Sequence, residues 1–168
     1  MKRLSGKNAF ISGSSRGIGL ACAKALAEQG ANVFLVATNE VLLKEATSAI
    51  QERSAVQVGF HAVDLRTLEG CQQASNAFNE RFGQADILVN SAGATKGGTF
   101  PEQSDEEMID GFALKFHGAV RLCRQLWPSL KQSKGTVINI VGGAARSPSS
   151  DFMVGGSVNA ALANFSKA

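Results

Sequence analysis

Gly13, Gly17 and Gly19 stand in a Gly-x3-Gly-x-Gly spacing within Ser12-Gly13-Ser14-Ser15-Arg16-Gly17-Ile18-Gly19. The chemistry of such a spacing is anion binding. Glycines let the backbone turn tightly and approach a pyrophosphate closely. A helix that starts there adds unpaired N–H groups and a partial positive charge. A glycine loop of this kind also serves as an ordinary strand-to-helix turn, but its place directly after the first apolar run favours the phosphate reading. Other reactive side chains are sparse. Cys22, Cys71 and Cys123 lie far apart, His61 and His117 are isolated, and the chain has no tyrosine. No CxxC pair occurs, so the pattern argues for reduced thiols and against both a disulfide frame and a metal site.

The elements around the loop alternate. Asn8 to Ile11, Val33 to Ala37, Val56 to Val63, Ile87 to Asn90 and Val137 to Val141 read as five strands. Between them, Gly17 to Gln29, Val41 to Arg53 and Thr67 to Phe82 read as helices, the first closed by Gly30 and the third stopping at Gly83. A long fourth helix begins at Ser104, where Ser104-x-x-Glu107 is a capping box. Ile109, Phe112, Phe116, Val120, Cys123 and Trp127 run along it at a spacing of three or four, which reads as a packing stripe. Pro128 is expected to bend or end this helix. A fifth helix is expected to start near Ser157. Strands apolar on both faces, alternating with helices, predict an α/β fold. It is a doubly wound parallel sheet of Rossmann type with helices on both faces.

At 168 residues the chain fits one domain, residues 1–168. Seventeen basic and fourteen acidic residues give a net charge of +3, and the basic ones are scattered. A nucleic-acid surface would need a basic stripe, so no nucleic-acid partner is expected. No secretory signal and no span long and apolar enough for a membrane is read, which points to a cytoplasmic protein. The end of the chain is abrupt: Ala168 falls inside a helical pattern without a stop signal. The fifth strand would be an open apolar edge, so further strands, a substrate lid or a covering partner are expected.

With these motifs in order, the sequence resembles the short-chain dehydrogenase/reductase family. SGSSRGIG resembles its cofactor loop. Asp64-Leu65 resembles the pair that contacts adenine. Asp86-Ile87-Leu88-Val89-Asn90-Ser91-Ala92-Gly93 resembles the segment ending in NNAG, with Ser91 for the second asparagine. The resemblance covers essentially the whole chain. It implies an oxidoreductase moving hydride between a nicotinamide and a carbonyl or alcohol substrate. It also implies cofactor contacts by Gly13, Ser15, Arg16, Gly17, Ile18, Gly19, Thr38, Asp64, Leu65, Asn90, Ala92 and Gly93. Assembly as a homo-dimer or homo-tetramer through the fourth and fifth helices is implied as well. An acid after the second strand would favour NAD, but Ala37, Thr38 and Asn39 stand there, and Glu40 reads as the start of the next helix. Arg16 could meet a 2′-phosphate, so NADP is preferred to NAD, the other reading of Arg16 being a solvated loop cation.

The resemblance breaks at the residues that move the proton. The family places a serine after the fifth strand, a Tyr-x3-Lys pair on the next helix and an asparagine on the fourth. Aligned on Asn139-Ile140-Val141-Gly142, the serine position holds Gly142, the tyrosine position Gly155, the lysine position Asn159 and the asparagine position Lys115. Lysine and asparagine have changed places, which makes Lys115 and Asn159 the candidate catalytic pair, expected to point into one cavity. Lys115 then serves as proton donor or ribose anchor, or else is a helix lysine reaching for solvent. Ser147, Ser149, Ser150, Asp151 and Ser157 are expected to cap the last helix. The Gly142-Gly143 pair reads as a tight turn in preference to an oxyanion hole, and His117 faces away. An NADP-binding pseudoenzyme, acting as sensor or partner protein, is the alternative function.

Overall fold

In the three central strands of the sheet, successive side chains enter different cores. Phe10, Phe34, Val36 and Leu88 pack into one cluster, while Ala9, Ile11, Val33, Leu35, Ile87 and Val89 pack into another. A strand buried on both sides must carry apolar residues at every position, as these do. The computed structural model describes residues 2–168. The strands are β1 (Asn8–Ser12), β2 (Asn32–Ala37), β3 (Val58–Ala62), β4 (Ile87–Asn90) and β5 (Thr136–Asn139). They form one parallel sheet in the order β3-β2-β1-β4-β5. The order reverses between β1 and β4, which opens a crevice at the carboxyl ends of the strands.

The helices are α1 (Gly17–Glu28), α2 (Glu40–Gln51), α3 (Leu68–Phe82), α4 (Asp105–Phe112), α5 (Ala119–Ser133) and α6 (Met153–Lys167). Helices α1 and α2 cover one face through Ala23, Ala27, Leu43, Ala46 and Ile50. Helices α3 and α5 cover the other through Ala74, Phe78, Leu122, Leu126 and Leu130. There Phe78 packs edge-on against Phe10 and Phe34, with centroids 5.6 Å from each. Burying such a ring stabilises the fold by about 2–3 kcal/mol. Strand and helix bounds fall within two residues of expectation, except around Pro128 and Gly155.

Pro128 does not end its helix: α5 continues through it to Ser133. The stop comes from Lys134 in the left-handed conformation (φ 52°) and from the Gly135 N–H closing back on the Leu130 carbonyl. The last helix begins at Met153, not near Ser157. Gly155 and Gly156 weaken a helix in isolation, but both are buried here in its first turn. The serines and Asp151 do not cap it. Phe152 is the N-cap residue and offers no side-chain bond, while Ser149 bonds Asp151. The expected stripe on the long helix is also not one buried face. Cys123 is buried, but Ile109 and Trp127 are 61% and 56% exposed. Steps of mostly four residues drift around a 3.6-residue helix, and the buried side of α5 is set by Ala119, Leu122, Cys123, Leu126 and Leu130.

Candidate cofactor and catalytic groove

The loops leaving all five strands converge on one groove of about 480 Å³ at the carboxyl edge of the sheet. After β1 come Gly13, Ser15, Arg16 and the start of α1. Thr38 follows β2, Leu65 and Arg66 follow β3, Ala92 and Gly93 follow β4, and Ile140 follows β5.

Two glycines of the first loop, Gly13 and Gly19, are required by backbone contacts. Gly13 has φ +64°, and a Cβ there would sit 2.7 Å from the Ala92 Cα. A Cβ on Gly19 would strike the Gly13 carbonyl, so α1 rests directly on the loop. Gly17, with φ +59°, faces open space. Two serines that sequence reasoning did not single out hold this shape. Ser12 Oγ accepts from the Ser91 and Ala92 N–H groups at 3.1 and 3.2 Å, tying the β1 and β4 loops together. Ser14 Oγ donates to the Ile11 carbonyl at 2.8 Å and accepts from Val36 N–H at 2.9 Å. Both are small polar residues flanking Gly13, which is the signal that could have found them.

Helix α1 differs from its neighbours at its N-terminus. Asn39, Thr67 and Ser104 cap α2, α3 and α4 with their own side chains, and Ser104 completes its box with Glu107. Helix α1 has no side-chain cap and no acid in its first turn. Its first N–H groups are therefore left for an outside acceptor. These residues fit the pyrophosphate of a dinucleotide. The edge beside β2 carries no carboxylate. Asn39 accepts from Leu42 N–H at 3.0 Å, and Glu40 turns to Lys44 at 2.8 Å, which holds its carboxyl below the usual range.

Two expected cofactor residues do not line the groove. Asp64 Oδ1 accepts from Arg66 N–H at 2.9 Å and from its guanidinium at 3.3 Å, fixing the loop. Arg66 also bonds Asp110 of α4, which raises its pKa further. Asn90 is buried and donates to Asn139 Oδ1 at 2.8 Å, joining β4 to β5, while its own Oδ1 has no partner.

Beside the β4 loop, α4 and α5 are joined by a π-helical turn, Ala113–Gly118, that carries Lys115. Such turns add a residue and re-aim side chains. Lys115 lines the groove, and its Nζ donates to the Ile140 carbonyl at 3.1 Å. Burial pushes its pKa down. Gly93 makes room for it, since a Cβ at 93 would lie 3.1 Å from the Lys115 Cδ. Asn159 does not share that cavity. It is buried, accepts from Gly142 N–H at 2.6 Å and donates to the Gly155 carbonyl at 2.7 Å. Lys115 and Asn159 thus grip the same segment after β5, two residues apart, instead of meeting in one pocket. The Gly142 N–H is taken, and Gly142 enters a 3₁₀ turn over Gly143–Ala145, so the pair is a tight turn. At Gly155 a Cβ would overlap the Phe152 ring, so residue 152 fills the space beside the side-chain-free position.

The model of the short chain dehydrogenase family matches residues 7–168. An uncharacterized oxidoreductase of Staphylococcus saprophyticus is 36% identical over 144 residues, 83% of this chain and 60% of that protein. The D-beta-hydroxybutyrate dehydrogenase of Cupriavidus necator is 33% identical over 82% of this chain and 53% of its own length. Among solved structures, L-sorbose reductase of Gluconobacter frateurii, complexed with NADPH and L-sorbose, superposes with a TM-score of 0.95. Its identity is 38%, covering 99% of this chain and 64% of that one. An alcohol dehydrogenase of Thermococcus sibiricus, complexed with 5-hydroxy-NADP, reaches 0.93 at 27% identity, covering 96% and 68%. The chain therefore spans about 60% of the length of the first relative it matches. With the family model matched from Lys7 to the last residue and the sheet order, glycine loop and groove described above, the chain belongs to the short chain dehydrogenase family.

Proposed function

We propose that the chain binds NADP in the groove and serves as an oxidoreductase on a small carbonyl or alcohol substrate. The observation that carries this reading is the convergence of five strand-end loops on the uncapped N-terminus of α1. The relatives' names as oxidoreductases and the NADPH in the sorbose reductase complex support it. When bound, the nicotinamide supplies or accepts hydride. The chain's own residues do the rest. Gly13, Gly17, Gly19 and the first turn of α1 receive the pyrophosphate. Arg16 and Thr38 meet the 2′-phosphate, with no carboxylate to repel it, which favours NADP over NAD. Leu65 lines the adenine end, with Asp64 fixing its loop. Lys115 holds the ribose or hands over the proton, replacing the phenol that the chain lacks, and Asn159 positions the Gly142 loop.

A cofactor-binding sensor without turnover is the second reading. The observation favouring it is that Gly142 and Gly155 present no side chain where a hydroxyl would act. A turnover assay with NADPH over aldehydes, ketones and acyl thioesters separates the two. NADPH consumption that disappears in Lys115→Ala is the expected result. Tight binding without turnover on every class moves the assignment to the sensor.

The same reading makes the protein cytoplasmic and oligomeric. No helix among the described residues is long and apolar enough to cross a membrane. Trp127 and Ile109 on the long helix and Phe165 on α6 are exposed apolar residues suited to a homo-dimer or homo-tetramer contact. Sedimentation of wild type against Trp127→Arg tests this: the variant sediments as a smaller species.

A further inference from the structure

We infer that the Lys115 amine condenses with an aldehyde in the groove, forming an imine on the protein. The inference rests on the reading of the groove as a carbonyl site and deepens it by naming the covalent chemistry. Lys115 is carried on the π-helical turn and lines the open groove. Its hydrogen bond goes to the Ile140 carbonyl, an acceptor without formal charge. Among the described residues Lys115 joins no ion pair, whereas Lys7, Lys44 and Lys96 each hold a carboxylate. The charged groups that share the groove lining with it, Arg16 and Arg66, are cations. Among the described residues no carboxylate lines the groove, and Asp64 and Asp110 are engaged by Arg66. Burial favours the neutral amine, and the neutral amine is the nucleophile.

The step balances without an oxidant. The Lys115 nitrogen attacks the aldehyde carbon and a C–N bond forms. The carbonyl oxygen leaves as water with two protons from the amine, and a C=N bond remains at the same oxidation level. Protonated, that imine has an electrophilic carbon, and water adding to it reverses the step and returns the aldehyde and the free Lys115 amine.

The test is reductive trapping. Butanal and cyanoborohydride are added to the protein, and secondary-amine adducts are mapped by peptide mass spectrometry across its nine lysines. Lys115 is expected to label about tenfold above the mean of the others. In Lys115→Arg that adduct is lost while the other lysines are unchanged. Labelling at Lys115 no greater than at the exposed lysines overturns the inference. Calorimetry with NADPH on the wild-type protein keeps the two readings apart, and thermal melting checks that Lys115→Arg is folded. NADPH binding without a Lys115 adduct overturns the imine and leaves the cofactor site. A Lys115 adduct without NADPH binding upholds the imine and overturns the cofactor site.

Discussion

Two parts of the groove, the glycine loop and the surroundings of Lys115, are built in different ways. Around the glycine loop, backbone meets backbone: Gly13 against Ala92, Gly19 against the Gly13 carbonyl, and serine hydroxyls stitching the loops. Nothing but glycine fits, and the spacing of the residues is the structure. Around Lys115, side chains substitute for one another. Lys115 reaches Ile140, Asn159 holds Gly142, and Phe152 fills the space beside Gly155. A site made of backbone contacts tolerates little change, whereas one made of side chains can be rebuilt on the same scaffold. Family membership therefore fixes the first part far more firmly than the second.

The largest effect is expected at the backbone-built part. Gly13→Val forces a branched side chain into a left-handed conformation and against Ala92. Loss of about 3 kcal/mol of stability and of detectable NADPH binding is expected, by thermal melting and calorimetry. A variant that still binds NADPH would erase the contrast between the two parts. Gly155→Tyr comes next. Alone it overlaps the Phe152 ring and costs about 2–3 kcal/mol. Combined with Phe152→Ala it costs less than the sum of the two changes, a coupling that a double-mutant cycle in denaturant reads directly. Additive changes would mean that Phe152 and Gly155 are not one packing unit.

Asn159→Ala leaves the Gly142 N–H without its partner and is expected to cost about 2 kcal/mol of stability. NADPH affinity should change little, because Asn159 does not line the groove. Arg16→Ala should weaken NADPH by about tenfold, about 1.4 kcal/mol, and leave NADH unchanged. Equal losses for both dinucleotides would remove Arg16 from the 2′-phosphate.

The smallest effect concerns pH. Burial holds the Lys115 amine below its ordinary value, so the unfolded chain takes up the proton first as pH falls. The resulting penalty on the folded state is complete below the folded pKa. It disappears as pH rises to the ordinary lysine value of about 10.4. Wild type should therefore gain stability relative to Lys115→Met as pH rises through that window, and a flat difference would place the amine in solvent.

The sheet and its helices were legible because period and punctuation agreed. Apolar runs buried on both faces, Gly30 and Gly83 as stops, and the Ser104–Glu107 box all act locally. The run of α5 through Pro128 and the start of α6 around Gly155 were not legible; in α6 tertiary packing overrides propensity, since Gly111 lets Val154 approach, with a Cβ at 111 only 2.8 Å from its Cγ1. Ten of the twelve expected cofactor residues line the groove, because a loop motif fixes its own geometry. The partners of Lys115 and Asn159 were hidden. Both lie across the fold, and the π-helical turn that aims Lys115 has no signature in a pattern of 3.6.

The most direct test is a calorimetric titration of NADPH, with NADH alongside, into the wild-type protein. NADPH binding at one site, tighter than NADH and absent in Gly13→Val, is the predicted result. Binding of neither dinucleotide to a folded protein would contradict the account, leaving the glycine loop as a packing device alone.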